Sequence, residues 1–194
     1  MKGKMVLVVG LVVFGITIMF AGCASISSGA NSRNANSLQN LTVHIDIPDN
    51  WLSVPSRGVP FSDAETQDYR ITPQSGEKAA LMLTIGRLNS GISLSVEQFL
   101  VFFSRRVNSL LPNAVETNPD IVRLSLNGGV GIYCTLTDAS LVKVESLAED
   151  DYRFVTLYLA RYERGFFVHA SILTDNITNE TFQQMLDILF SIHI

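Results

Sequence analysis

The sequence predicts an α+β fold, a largely antiparallel sheet with helices packed on it, with one globular domain at 41–194. Three observations carry the α+β reading. Apolar and polar residues alternate at period two over much of the chain, which marks half-buried strands. Short turn sequences join several of these stretches, and only antiparallel neighbours can be joined so tightly. Apolar residues recur at helical spacing in two places, beginning at Ser95 and near Thr178 or Asn179, so helices pack on the sheet rather than alternate with strands.

The elements follow in order. Leu41, Val43, Ile45 and Ile47 alternate with Thr42, His44 and Asp46 in a first strand, and Pro48-Asp49-Asn50 turns the chain before Trp51. Further strands are expected at Asp68–Thr72 and Ala79–Leu88, the latter bounded by Pro73-Gln74-Ser75-Gly76 and Asn89-Ser90-Gly91. Ser95 and Gln98 form a capping box, Leu94 and Phe99 suit a hydrophobic staple, and Val96, Phe99, Phe103, Val107 and Leu110 line one helical face. Pro112 ends that helix. Ile121–Leu126 and Val130–Thr137 read as a hairpin over Asn127-Gly128-Gly129, since Asn and Gly tolerate positive φ. Leu141–Leu147 is apolar without a clear period, and Ala148-Glu149-Asp150-Asp151 is an acidic turn. Tyr152–Arg161 and Phe166–Leu173 form the strongest hairpin, closed over Tyr162-Glu163-Arg164-Gly165. In the last helix Phe182, Met185, Leu186 and Leu189 supply the buried stripe, and Glu180 suits the first turn.

Ahead of the domain stands a different kind of sequence. Lys2 and Lys4 precede a stretch from Met5 to Ala21 without a charge, which closes on Phe20-Ala21-Gly22-Cys23. This order resembles the signal peptide and lipobox of bacterial lipoproteins, with Phe20 where Leu is usual. The resemblance implies a signal at 1–22 and diacylglyceryl transfer to the sulfur of Cys23. An uncleaved anchor is the alternative, but the uncharged run spans roughly 25 Å as a helix against a ~30 Å hydrocarbon core. Residues 24–32 also carry no Lys or Arg, a cation that would stop transfer. Two or three acyl chains on one cysteine, palmitate among them, hold a protein far more firmly than one. Residues 23–40 then form a Ser-, Asn- and Ala-rich linker with one charge, Arg33, too polar to bury a core and about 20–25 Å in root-mean-square span.

Composition bounds what the domain does. Loss of Lys2 and Lys4 leaves 12 basic against 18 acidic residues, a net of −6, and the largest basic run is Arg105-Arg106. That balance argues against a nucleic-acid surface. With Cys23 acylated, Cys134 has no intramolecular partner, and its place in Ile132-Tyr133-Cys134-Thr135-Leu136 reads as a small buried hydrophobe.

Three segments resemble the PsbP-like family, which includes the PsbP subunit of photosystem II, the Ran-binding Mog proteins of yeast and many bacterial lipoproteins. Ile47-Pro48-Asp49-Asn50-Trp51 is similar to the family's Ile-Pro-x-x-Trp opening. The helix Ser95–Leu111 follows the third strand, and the final hairpin leads into Ile188-Leu189-Phe190-Ser191-Ile192, similar to the family's closing helix and Ser-Ile. The resemblance implies an α/β/α sandwich around an antiparallel sheet, and it carries over no catalytic residue, cofactor or partner.

Candidate sites are few. His44 and Asp46 share one strand face, and with His169 they would offer a His-Asp-His metal site if their strands were neighbours. No HxxxH or CxxC spacing supports one, so metal and cofactor ligands are expected to be none. No G-x-S-x-G is present, and Gly128-Gly129-Val130-Gly131 lacks the helix and lysine of a phosphate loop, so catalytic residues are also expected to be none. Glu149-Asp150-Asp151 lacks calcium-loop spacing. Trp51 reads as a core plug, with a ligand cleft beside it as the alternative. The sequence thus leads to an exported, lipid-anchored envelope module that binds through its surface, with a small ligand or metal ion as the alternative partner to an envelope protein. Cys23 is the one residue with assigned chemistry. Its location would be the periplasmic face of an outer membrane where one exists, otherwise the outer face of the plasma membrane.

Overall fold

The computed structural model describes residues 33–35, 43–57, 64–89 and 95–193. Cys23, the signal segment, Leu41 and Leu94 lie outside the described residues. The strands are β1 (Arg33–Ala35), β2 (Val43–Ile45), β3 (Trp51–Ser56), β4 (Ala64–Pro73), β5 (Ala79–Leu88), β6 (Val122–Leu126), β7 (Gly129–Thr137), β8 (Phe154–Tyr162) and β9 (Phe166–Thr174), and the helices are α1 (Val96–Leu110) and α2 (Glu180–Phe190). Seven strands form one fully antiparallel sheet in the order β3-β4-β5-β9-β8-β7-β6. A helix lies on each face, as the sandwich reading requires. No helix among the described residues is long and apolar enough to cross a membrane.

The strand sequences differ by position in the sheet. β8 and β9 are central and covered on both sides, so they read as near-continuous apolar runs, FVTLYLARY and FFVHASILT. Edge strand β6, VRLSL, keeps a strict alternation of half-buried and exposed residues. The hairpin over Asn127-Gly128 forms as expected, although only Gly128 takes positive φ (+75°). At the β8–β9 turn Arg164 and Gly165 both do (+57° and +78°).

One face of the sheet is closed. Alternate residues of β4, β5, β8 and β9, among them Ile71, Leu81, Leu83, Tyr158, Ala160, Val168 and Ile172, meet Trp51 and the α2 residues Met185, Leu186, Ile188 and Leu189. Trp51 is the plug expected, with no exposed surface, and its Nε1 donates to Gln184 Oε1 at 2.9 Å. It does not simply follow a turn. It opens β3, a strand the sequence reading passes over because Pro55 interrupts its pattern, and Pro is tolerated here because β3 is an edge.

The chain ends are clasped on this face. His44 and His193 exchange backbone hydrogen bonds (2.9 and 3.2 Å), and their rings stack at 4.9 Å. Ser191 Oγ accepts from the Asp46 N–H, while the Ile192 carbonyl accepts from Tyr162 Oη. The terminal Ser-Ile is therefore a structural lock. Arg33–Ala35, within the segment read as linker, pairs antiparallel with β2.

Helix ends are chemically closed. Ser95 and Gln98 make the reciprocal capping box (2.9 and 3.2 Å). Asn179 Oδ1 accepts from the Phe182 N–H, and Glu77 accepts from both Asn179 Nδ2 and Thr181 Oγ1, fixing the start of α2 to the β4–β5 turn. The ambiguous stretch Leu141–Leu147 is turn, not strand: Arg153 donates to the Leu141 and Val144 carbonyls, and Lys78 to that of Ala148.

Candidate functional site

Among the described residues, the other face is only half covered. Helix α1 buries Phe99, Phe103 and Val107 against Ile132, Cys134 and Leu136 of β7 and Val155, Leu157 and Leu159 of β8. Because strand register fixes which residues share a face, these leucines identify the rest of it. Leu159 pairs with His169, His169 with Thr84, and Thr84 with Asp68, one row across four strands. Two residues along lies a second row, Leu157, Ser171, Met82, Arg70 and Val54. Each row therefore turns from apolar under the helix to polar beside it. At the β3 edge the first row ends on Ser56 and the second on Val54, 40% exposed, with Leu52, 50% exposed, two residues further along the same strand face.

The helix supplies the wall of this open half. Phe99, Phe103 and Val107 point down, which sets Arg106 on the flank of α1, half-buried, with Phe102 one turn earlier and 48% exposed. Burial pulls the His169 imidazole down to about 4, and the Arg106 guanidinium adds to that shift, so Arg106 lies on the β9 side and His169 is neutral near pH 7. Burial also lowers the Arg106 pKa, a sign of a desolvated cation. The Asp68 carboxylate accepts from Thr84 Oγ1 at 2.5 Å. Above the polar row the Phe167 ring lies across Gly86, where any Cβ would sit within 2.2 Å of ring carbon. A glycine is needed there for the ring to lie flat.

Little in this arrangement suits hydrolysis. Ser171 and His169 share a face, but no hydrogen bond joins them, and the depressed imidazole is a poor base at neutral pH. The Cys134 thiol is pushed up to about 11, by burial first and Glu116 second, as suits the buried hydrophobe expected. The residues of the conditional metal site fall apart. His44 and Asp46 sit by the chain-end clasp, whereas His169 lies between β5 and β8. Among the described residues no three His, Cys, Asp or Glu gather as a metal site would require. Glu149, Asp150 and Asp151 lie in the turn after Ala148, with Asp151 N–H donating to the Ala148 carbonyl.

No family model matches the chain, and no curated protein matches it in sequence. Its fold, however, is that of a solved structure. The solution structure of cyanobacterial PsbP (CyanoP) from Synechocystis sp. PCC 6803 superposes with a TM-score of 0.53 over 90% of this chain and 98% of that one, at 11% identity. At that identity the likeness shows a PsbP-like fold and nothing of function.

Sequence reasoning named His169 but placed it with His44 and Asp46. It passed over Thr84, Ser171 and Arg106 as parts of a site. One signal was present: Thr84, His169 and Ser171 interrupt otherwise apolar strands, AALMLTIGRL and FFVHASILT. Polar residues inside such strands need a reason, and their register alone shows that they adjoin.

Proposed function

We propose that this chain is a lipid-tethered binding module of the bacterial cell envelope, with no catalysis of its own, and that the open half-face beside α1 is its binding surface. One observation carries the reading: the order of Lys2, Lys4, the uncharged stretch to Ala21, and Cys23 ahead of a PsbP-like domain. That order suits export and acylation. The open half-face supports the second part, because it leaves Leu52, Val54 and Phe102 exposed beside polar groups, a mixture found at recognition surfaces. The paired strand Arg33–Ala35 would shorten the free tether and hold the domain nearer the bilayer.

Two experiments test it. Cys23→Ala abolishes metabolic labelling by radiolabelled palmitate and leaves the precursor unprocessed; unchanged labelling removes the lipid anchor from the reading. Crosslinking in intact envelopes then yields a defined adduct, lost when Leu52 and Val54 are both changed to Asp. An adduct that survives this double change places binding elsewhere.

A further inference from the structure

The open half-face gathers hydrogen-bond donors that no protein acceptor engages among the described residues. Arg106 is half-buried, yet among the described residues its guanidinium makes no hydrogen bond or ion pair; the one salt bridge recorded there joins Lys78 to Asp175. Ser171 is 6% exposed, and among the described residues no side chain or carbonyl takes its hydroxyl hydrogen, which is left to water. The His169 ring, two residues away on the same strand face, makes none either, and as a neutral imidazole it offers one N–H. These donors stay open to water rather than sealed away, since Tyr158 Oη is the buried side-chain polar atom without a partner among the described residues. The one carboxylate in the two rows, Asp68, is two strands from β9 and engaged by Thr84. Arg161 on β8, opposite Phe167, adds positive charge on the same face, while Arg70 lies beside Asp68 on β4. The domain is acidic overall, so this local excess of cationic donors runs against its background.

We propose that the seam between α1 and β9 is an oxyanion site, in which Arg106, Ser171 and the His169 N–H hold the phosphate or carboxylate group of an anionic ligand. Arg106 presents the planar fork that matches such a group, and Ser171 and His169 supply single donors from the floor. Met82, paired with Ser171, and Phe102, one turn before Arg106, offer contacts to an apolar remainder of the ligand. This inference rests on the reading of the open half as the binding surface and names what it binds.

The test uses the full chain in nonionic detergent with inorganic phosphate as the probe, against chloride at equal ionic strength. Phosphate is expected to raise the melting temperature and to move the His169 ring signals in NMR. It should also raise the midpoint of the His169 titration, because an adjacent anion favours the imidazolium. Arg106→Gln weakens phosphate by at least about tenfold, the loss of one charge-assisted hydrogen bond, while Arg105→Gln leaves it unchanged. Should Arg106→Gln fail to fold, Ser171→Ala with the His169 midpoint as readout decides the matter. A second arm compares binding to phosphatidylglycerol and phosphatidylcholine vesicles. A preference for phosphatidylglycerol that needs Arg106, without a response to free phosphate, assigns the oxyanion to a lipid headgroup; a response to free phosphate assigns it to a soluble ligand. If neither arm depends on Arg106 or Ser171, the oxyanion site is overturned. The palmitate labelling and the envelope adduct then still stand or fall by themselves.

Discussion

The two faces of this sheet are built from the same strands and finished in different ways. On the closed face Trp51, α2 and the chain ends cover the strands, the single tryptophan is fully enclosed, and even its indole N–H is satisfied. One atom escapes this closure: the Tyr158 hydroxyl is buried without a partner among the described residues, and burial raises its pKa. On the other face α1 covers only the β7–β8 half, and the remaining strands carry Asp68, Arg70, Thr84, His169 and Ser171 in register. The closed face is organised for stability. The half-open face keeps donors free for water and apolar side chains exposed, and such a mixture is where recognition is to be sought.

The largest expected effect tests that division directly. Trp51→Ala removes the plug and leaves a cavity beneath α2, at a cost of about 3–5 kcal/mol by urea denaturation. Leu52→Ser, the next residue but on the open face, stays within about 0.5 kcal/mol. Similar losses for the two would erase the distinction between the faces. Gly86→Ala comes next. Its methyl group would collide with the Phe167 ring, and forcing that ring off β5 costs about 1–3 kcal/mol, with a shift of the neighbouring His169 signals in NMR. A neutral outcome would mean that the ring turns aside freely.

The pH dependence has a defined sign. The unfolded His169 takes up a proton near pH 6.5, whereas the folded ring resists protonation down to about 4. Its contribution is therefore complete above pH 6.5 and is lost as pH falls from 6.5 toward 4. Wild-type stability should slope downward through that window, and His169→Gln should flatten the slope. Parallel curves for the two proteins would show that the ring is solvated. The smallest effect belongs to the helix that walls the open half. Ser95→Ala breaks the capping box and costs about 1 kcal/mol by thermal denaturation, without touching the closed face.

Local rules were enough for several elements. The Ser95–Gln98 cap, the turn at Asn127-Gly128, the Tyr162–Phe166 hairpin and the Asn179 start of α2 each rest on neighbours in sequence, and each occurs where its residues place it. The Ile-Pro-Asp-Asn-Trp opening and the terminal Ser-Ile pointed to the PsbP-like fold, and the superposition on the cyanobacterial PsbP bears out that reading. Strand β3 was not legible, because Pro55 and the exposed Leu52 and Val54 lack the signature of a buried strand, and only pairing with β4 makes it one.

The sequence by itself determined the polarity patterns and the caps and turns, since all of these depend on residues within a few positions of one another. Tertiary structure decided which polar residues meet. His169 adjoins Thr84, 85 positions earlier, because β5 and β9 are neighbours, and it parts from His44 because β2 is drawn to the C-terminus instead. Strand order costs the same local signals whichever way it runs. It goes with how the two helices and the Trp51 plug divide the faces, and that division sets His169 and Ser171 on the face that α1 partly covers, with Arg106 near enough to act on His169.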